Sequence, residues 1–295
     1  MFPYPFRYLA PETYDEALKH LEQYGDEAKV LAGGQSLLPM MKLKLAAPGV
    51  LVDINGIAEG HQISQDRESL TQGALIRHSH WEHTHLPRIP LLYETAARIA
   101  DPLVRNRGTL GGSLVHADPA ADWGASLLAL KAKVHVLSRD RDRWISLRDF
   151  FVDTFVTVVE PQELVTSIQI PWPPDNCFTG ARYLKLERKV GDFAVVGVAL
   201  TCSVSTQGVV QEAGIGLAAV GSSPLAAAGA EKLLINQPLN SEVIKAAALK
   251  ASQECDPLGD RRGSEEYKRA MVRVFVERGL QSILAQWGNR LQNPA

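Results

Sequence analysis

Two glycine turns carry the residue types best suited to binding an anion. The first is Gly33-Gly34-Gln35-Ser36, and the second runs from Thr109 through Gly111 and Gly112 to Ser113. Because glycine lacks a Cβ, backbone N–H groups in such turns can approach a ligand closely, and neighbouring hydroxyls add donors. Either turn alone is also consistent with a tight structural turn. The two together, with matched hydroxyls, favour a shared ligand such as a diphosphate.

Neither turn follows the common nucleotide-binding motifs. The chain has no G-x-x-x-x-G-K-[ST] segment, which excludes a P-loop. GGQSLL and GTLGGSL also lack the G-x-G-x-x-G spacing with an acidic residue about twenty positions later. A Rossmann site is therefore disfavoured.

Charged residues surround the second turn. Asp118 and Asp122 would share one face if HADPAADW were helical. Asp118 precedes Pro119, so it is equally suited to cap a helix that begins at that proline. Asp122 has no capping role and could accept hydrogen bonds from a sugar or ribityl hydroxyl. Arg105 and Arg107 lie close to the turn, unless they are solvated loop charges.

Four histidines in RHSHWEHTHLP suggest a metal site at first sight. Their spacing does not by itself close such a site, and Glu82 is the single acid nearby. We therefore expect a surface or helix-start role for His78, His80, His83 and His85. No nucleophile motif such as G-x-S-x-G is present, so we predict neither a catalytic residue nor a metal ligand in this chain.

Composition excludes several classes of partner. The 295 residues carry a formal net charge of −2 and are 45% hydrophobic, which argues against a nucleic acid or an anionic membrane as partner. No apolar stretch reaches the ~18 residues of a membrane span, and no signal peptide is evident. Cys177, Cys202 and Cys255 form no C-x-x-C pair, so an iron–sulfur cluster here is not expected. We expect a cytoplasmic protein with reduced thiols.

The elements that must position these residues fall into three groups. Residues 13–24 predict a helix capped by Thr13, followed by strands in AKVLAGG and GVLVDINGI. A strand around 70–76 opens the next group, which continues with the helix PLLYETAARIA and strands up to ELVTSIQIP. The linker signal PWPPDN spans 171–176. The β-branched segments after it predict a small antiparallel sheet, with three helices packed on it.

Five segments, in order, resemble one family. They are LAGGQSLLPMMKLKLAAPGVLVDI, IADPLVRNRGTLGGSLVHADPAADW, ELVTSIQIPWPP, YLKLERKVGDFAVVGVAL and GDRRGSEEYKRAMVRVFVERGL. Together they resemble the medium, FAD-binding subunit of molybdenum hydroxylases of the carbon monoxide dehydrogenase type. The resemblance implies an α+β fold similar to the vanillyl-alcohol oxidase flavoproteins. An FAD-binding domain would span 1–173, with lobes of about 1–57 and 58–173, and a C-terminal sheet-and-helix domain would span 177–295.

The resemblance also assigns residues to FAD. Both glycine turns would hold the diphosphate, Asp122 would contact the polar chain of the flavin, and further positions would line the site. Lys185 would place a cation near the isoalloxazine ring, and this cation would stabilise the anionic reduced form of the flavin. The implied residues are Ala32, Gly33, Gly34, Gln35, Ser36, Leu37, Ile99, Thr109, Gly111, Gly112, Ser113, Asp118, Asp122, Leu164 and Lys185.

The chain departs from the family pattern at three positions. Gln35 replaces a common His, and both can donate to phosphate. Ser113 replaces a common Asn and can give one contact fewer. Phe193 replaces a Tyr beside the flavin, which keeps an apolar wall but removes a hydroxyl. The last departure leaves the flavin potential and the terminal acceptor open.

The family's role is electron transfer. The resemblance implies a large partner subunit with a molybdopterin cofactor and a small one with two [2Fe–2S] clusters, in a dimer of heterotrimers. FAD on this chain would pass the electrons to an outside oxidant. One alternative is a self-contained FAD oxidase, for which about 120 residues after Pro174 leave little room for a substrate-capping domain. The other is a non-catalytic nucleotide-binding assembly protein.

Overall fold

The first lobe is a three-stranded parallel sheet with two helices. The computed structural model describes residues 2–292, so Met1 and 293–295, at the ends of the predicted domains, lie outside the described residues. The elements of this lobe are β1 (Arg7–Leu9), α1 (Tyr14–Tyr24), β2 (Ala28–Leu31), α2 (Leu37–Lys42) and β3 (Val50–Asp53). The sheet order is β1-β3-β2. The predicted helix and the two strands that follow it are confirmed as α1, β2 and β3.

Helix α1 begins where its capping residues predict. The hydroxyl of Thr13 accepts a hydrogen bond from the N–H of Glu16 at 3.2 Å, and the Glu16 carboxylate accepts one from the N–H of Glu12 at 3.0 Å. The buried face of the helix packs against β2 and β3 through Leu18 and Leu21. This packing fixes the parallel strands, so the first glycine turn emerges at their carboxyl edge.

The second lobe is a five-stranded antiparallel sheet with five short helices. Its elements are β4 (Ile63–Gln65), β5 (Ser69–Gly73), α3 (His78–His83), α4 (Leu91–Ala96), α5 (Pro102–Arg105), α6 (Leu110–His116), α7 (Asp122–Ala129), β6 (Lys133–Leu137), β7 (Asp142–Ser146), β8 (Phe151–Asp153), β9 (Val156–Thr157) and β10 (Leu164–Pro171). The sheet order is β4-β5-β10-β6-β7, and β8 and β9 form a separate pair. Strand β5 ends earlier than predicted, at Gly73, because the N–H of Ile76 donates to the carbonyl of Gly73 at 3.3 Å and closes a turn there.

The C-terminal part confirms the predicted antiparallel sheet and its helices. Its elements are β11 (Phe178–Leu186), β12 (Val196–Val204), β13 (Val210–Ala218), β14 (Leu225–Ala226), α8 (Ala228–Leu234), α9 (Ser241–Glu254) and α10 (Glu265–Gln292). The strands follow in the order β11-β12-β13-β14. Helix α10 packs on β11 and β12, α8 packs on β13, and α9 packs on both of these helices. The apolar core between them includes Ile244, Val276 and Ile283. Across residues 2–292, no helix is both long and apolar enough to cross a membrane.

The other face of the C-terminal sheet lies directly on α7 of the second lobe. A Cβ added to Gly214 would come within 1.9 Å of the carbonyl oxygen of Ala129, and one added to Gly216 within 1.8 Å of that of Ala125. Only glycine allows helix and strand backbones to approach so closely. This contact holds Asp122, the first residue of α7, at the boundary between the two parts of the molecule.

Candidate functional site

The first glycine turn connects β2 to α2 and holds a run of free backbone donors. Gly34 has φ of +72°, a left-handed conformation that favours glycine. Within residues 2–292, no protein group accepts a hydrogen bond from the backbone N–H of Gly33, Gly34, Gln35 or Ser36. Successive backbone N–H groups in a turn form a concave site for an anion. The geometry therefore suits the predicted diphosphate.

Three side chains fix the shape of this turn. The amide Nε2 of Gln35 donates to the carbonyl of Gly33 at 3.2 Å. Asn55 Nδ2 donates to the carbonyl of Ala32 at 2.7 Å, and Asn55 Oδ1 accepts from Arg77 at 2.5 Å. Sequence reasoning missed Asn55 and Arg77. The signal for Asn55 was its place just after β3, because the carboxyl ends of neighbouring parallel strands meet at one edge of a sheet.

The second glycine turn packs directly against the first. A Cβ added to Gly33 would lie 2.5 Å from the carbonyl oxygen of Arg107 and 3.0 Å from the backbone nitrogen of Thr109. The Cβ of Ala32 would lie 3.8 Å from one added to Gly112. Arg77 reinforces the contact by donating to the carbonyl of Arg107. The structure thus brings the two turns together from positions more than seventy residues apart.

The backbone donors of the second turn are used inside the fold. The N–H groups of Leu110 and Gly111 donate to the carbonyls of Ile76 and Ala74 at 3.0 and 2.9 Å. Thr109 caps α6, because its hydroxyl accepts from the N–H of Gly112 at 3.2 Å. Gly111 is required by packing, since a Cβ there would lie 2.5 Å from the Cβ of Ala74. The free donors therefore belong to the first turn, and the second forms the wall beside it.

Asp118 does not cap a helix, which corrects the capping interpretation. Helix α6 ends at His116, and α7 begins only at Asp122. The Asp118 carboxylate instead accepts from the N–H of Ala120 at 2.9 Å, closing a side-chain turn between the two helices. Asp118 and Asp122 therefore do not share one helical face.

Asp122 and Lys185 form a buried ion pair at the domain boundary. The Lys185 ammonium lies 3.1 Å from Asp122 Oδ2 and donates to the carbonyl of Arg98 at 3.1 Å. The side chain of Lys185 is only 1% exposed. The hydroxyl of Tyr183 donates to Asp122 Oδ1 at 2.5 Å. Burial raises the pKa of Asp122, while Lys185 and Tyr183 oppose that rise. Sequence reasoning named Asp122 and Lys185 separately as cofactor-binding residues, and it missed both their ion pair and Tyr183.

The other predicted lining residues lie in separate surroundings. Ile99 packs in the core of the second lobe, and Leu164 packs in the core of the first. Arg105 corrects the view of a solvated loop charge: it is buried and binds both carboxylate oxygens of Glu82, at 2.7 and 2.8 Å. Arg105 also donates to the carbonyl of Ile99 at 2.7 Å. It therefore holds the Ile99 loop in place.

The histidines do not gather into a metal site. Helix α3 begins at His78, as expected, but this histidine is buried and accepts a hydrogen bond from the indole of Trp123 at 2.9 Å. Among residues 2–292, no group of three histidine, cysteine, aspartate or glutamate side chains could hold a metal ion. His61, His80 and His83 instead border an open depression of about 420 Å³.

The residues present fit FAD. The free N–H groups of Gly33 to Ser36 provide donors for a diphosphate, and the carboxylate of Asp122 provides an acceptor for hydroxyl groups. The buried ammonium of Lys185 provides a positive charge beside that carboxylate.

Sequence comparison supports the same cofactor. A family described as the FAD binding domain in molybdopterin dehydrogenase matches residues 4–173, and the CO dehydrogenase flavoprotein C-terminal domain matches residues 181–283. The chain is 38% identical to the 6-hydroxypseudooxynicotine dehydrogenase complex subunit alpha of Paenarthrobacter nicotinovorans, over 96% of both chains. It is 37% identical to the carbon monoxide dehydrogenase medium chain of Hydrogenophaga pseudoflava, over 97% of this chain and 99% of that one.

Comparison with solved structures confirms the expected fold. The chain superposes on carbon monoxide dehydrogenase from Hydrogenophaga pseudoflava with a TM-score of 0.92 and 38% identity, covering 97% of this chain and 99% of that one. Quinoline 2-oxidoreductase from Pseudomonas putida 86 gives 0.88 at 29% identity, with coverage of 97% and 99%. The chain therefore belongs to the FAD-binding medium subunits of the molybdenum hydroxylases, of the carbon monoxide dehydrogenase type.

Proposed function

We propose that this chain holds FAD noncovalently and passes electrons from the [2Fe–2S] clusters of a partner subunit to an external acceptor. The observation that carries the proposal is the run of four free backbone N–H groups from Gly33 to Ser36, packed against the second glycine turn. Family membership supports FAD as the ligand of this cradle. We further propose that the FAD-binding domain spans 1–173 and the C-terminal domain spans 177–295.

Each part of the site has a distinct role in this proposal. The segments Ala32–Leu37 and Thr109–Ser113 surround the diphosphate, with the donors supplied mainly by the first. Asp122 accepts from hydroxyls of the ribityl chain. Asp118 would border the site, and Ile99 and Leu164 would support it from the cores in which they pack. When bound, FAD supplies a carrier that can take up electrons one at a time. Lys185 compensates the negative charge of the reduced ring, because its ammonium is buried where screening by water is weak.

We also propose partner chains. A large subunit with the molybdopterin cofactor would oxidise the substrate, and a small subunit would carry the clusters, in a dimer of heterotrimers. The names of the relatives, a medium chain and a subunit of a dehydrogenase complex, support the presence of partner subunits. The free state of Cys177, Cys202 and Cys255 supports a cytoplasmic location.

The first experiment identifies the cofactor on the purified full chain. We expect the visible absorption of oxidised flavin, and denaturation should release FAD, identified by mass. Organic substrates should not bleach this absorption unless the partner subunits are present. A colourless folded protein, release of FMN, or flavin that stays attached after denaturation contradicts the proposal.

A matched pair of variants tests the cradle itself. Ser36→Asp places a negative charge beside the free N–H groups, where it repels the diphosphate, and Ser36→Asn has nearly the same size without the charge. Aspartate just before α2 is compatible with helix formation, so folding should be preserved. We expect Ser36→Asp to weaken FAD binding at least about tenfold relative to Ser36→Asn, measured by fluorescence titration. Equal affinities would show that the diphosphate binds elsewhere.

A further inference from the structure

Strand β11 of the C-terminal domain contacts the FAD-binding domain through two consecutive residues, Arg182 and Tyr183. It is the edge strand of its sheet. Glu94 of α4 accepts from Arg182 at 2.8 Å with one carboxylate oxygen and from the backbone N–H of Tyr183 at 2.8 Å with the other. The Arg182 guanidinium also donates to the hydroxyl of Ser282 at 2.9 Å. The backbone at Tyr183 is therefore fixed from both sides of the domain boundary.

The ring of Tyr183 is enclosed, so its hydroxyl has little freedom. It is 4% exposed and packs with Leu91, Ala125 and Ala199, which come from both domains. A Cβ added to Gly197 would lie 2.9 Å from the tyrosine hydroxyl, so a larger residue there would displace it. The hydroxyl meets one carboxylate oxygen, Asp122 Oδ1, at 2.5 Å. Asp122 is thus held in one orientation by a rigid phenol.

Two acids face a single cation next to this hydrogen bond. Glu187 Oε2 lies 3.6 Å from the Lys185 ammonium, which also binds Asp122. Within the described part of the chain, that glutamate oxygen is buried and makes no hydrogen bond. Lys185 alone therefore cannot satisfy both carboxylates, and the Tyr183 hydroxyl supplies the additional donor that an ionised Asp122 requires.

Other charged groups near α7 have partners of their own. Glu94 binds Arg182, Glu212 binds Lys131, Arg148 binds Glu231 and His116 stacks on Phe155. Arg98 gives its carbonyl to Lys185, and its positive charge acts on Tyr183, whose pKa burial raises and Arg98 lowers. The groups that face the Asp122 carboxylate are therefore Tyr183, Lys185 and Glu187.

We propose that Tyr183 is a positioning residue for FAD: its hydroxyl keeps the Asp122 carboxylate ionised and oriented, and through Asp122 it positions the Lys185 ammonium. This inference rests on the proposed function, because it assumes that Asp122 and Lys185 face bound FAD. Without the hydroxyl, Asp122 loses a donor to its charged form and takes up a proton at higher pH. The neutral acid is a weaker acceptor for the ribityl hydroxyls.

The test measures FAD affinity against pH for the full chain and for Tyr183→Phe, by fluorescence titration between about pH 5.5 and pH 8. The variant keeps the ring, and circular dichroism checks that it is folded. We expect the loss of affinity at the acidic end to exceed that of the unmodified chain by about tenfold. The matched control is Tyr14→Phe, which removes a half-buried hydroxyl bound to the carbonyl of Thr166 and should leave the pH profile unchanged.

A second variant separates the outcomes. Asp122→Asn cannot titrate, so its pH profile should be flat, and adding Tyr183→Phe to it should change nothing further. If the profile of Tyr183→Phe runs parallel to that of the unmodified chain, or if the phenylalanine still changes the profile in the Asp122→Asn background, the positioning role is overturned. If the unmodified chain does not bind FAD, the proposed function itself fails.

Discussion

At the scale of single residues, His78 links the two halves of the candidate site's framework. Its ring lies against Gly108, just before the second glycine turn, and accepts from Trp123 of α7. Burial, with the nearby charges of Arg77 and Arg105, lowers the pKa of His78 to about 4. The imidazole is therefore neutral in the folded protein near neutral pH, which leaves its Nδ1 free to accept the indole hydrogen.

This lowered pKa predicts a loss of stability in mild acid. The unfolded chain binds a proton on His78 near pH 6.5 and the folded chain only near pH 4. The contribution is thus complete above pH 6.5 and is lost as the pH falls towards 4. Between pH 7 and pH 5 it lowers the free energy of unfolding by about 2 kcal/mol. Urea titrations should show this slope, and it should flatten in His78→Asn but persist in His83→Asn, which changes an exposed histidine. An unchanged slope in His78→Asn would contradict the prediction.

Residue-scale predictions from sequence succeed where the partner is local. The Thr13 cap and the first glycine turn follow from residues within a few positions. Asn55, Arg77 and Tyr183 were missed because each contacts groups that only the folded chain brings close. Asp118 was misjudged because proline permits either a helix start or a side-chain turn, and the packing of α7 selects the turn.

At the scale of elements, hydrophobic periodicity identified α1, the strands β2 and β3, and the C-terminal sheet, whereas β1 was not predicted. These elements each bury a regular apolar face, so their patterns are visible in sequence. The helix predicted in PLLYETAARIA corresponds to α4, which ends earlier, at Ala96. The short helices α5 and α6 have no such pattern of their own, because tertiary contacts define their ends. The contact between α7 and β13 was also missed. A glycine in a strand indicates that another backbone packs closely there, but it does not identify the element to which that backbone belongs.

That contact supports a prediction about packing. Gly216→Ala places a methyl group against the carbonyl of Ala125 and forces α7 away from the sheet. We expect a loss of roughly 3 kcal/mol in the free energy of unfolding, together with weaker FAD binding because Asp122 moves. The control is Gly288→Ala in α10, where nothing lies within 4 Å of the added Cβ and where alanine favours the helix. Equal stabilities of the two variants, measured by urea unfolding, would contradict the prediction.

At the scale of the whole molecule, the hydrogen bonds of Glu94 to Arg182 and Tyr183 join the FAD-binding domain to the C-terminal domain beside the candidate site. Glu94→Ala removes the acceptor of Arg182 and of the Tyr183 N–H, which leaves a buried donor unsatisfied and costs about 2 kcal/mol. We expect faster proteolysis in the segment 172–177 between β10 and β11. Glu22→Ala is the control, because it breaks an exposed pair with Arg139 and should cost less than about 1 kcal/mol. Equal cleavage rates of the two variants would show that the Glu94 contacts do not hold the domains together.

The glycine contact between α7 and β13 also sets a rule for recombining relatives of this chain. Helix and sheet meet backbone to backbone at Gly214 and Gly216, so the two surfaces must come from the same parent to fit. A chimera that joins one parent's residues 1–173 to another's C-terminal domain splits this interface, although its junction lies in a linker-like segment. A chimera that exchanges Asp122–Ala129 together with the C-terminal domain keeps the interface intact. The segment that must be exchanged as one piece therefore includes α7 and is larger than the C-terminal domain that sequence comparison delimits.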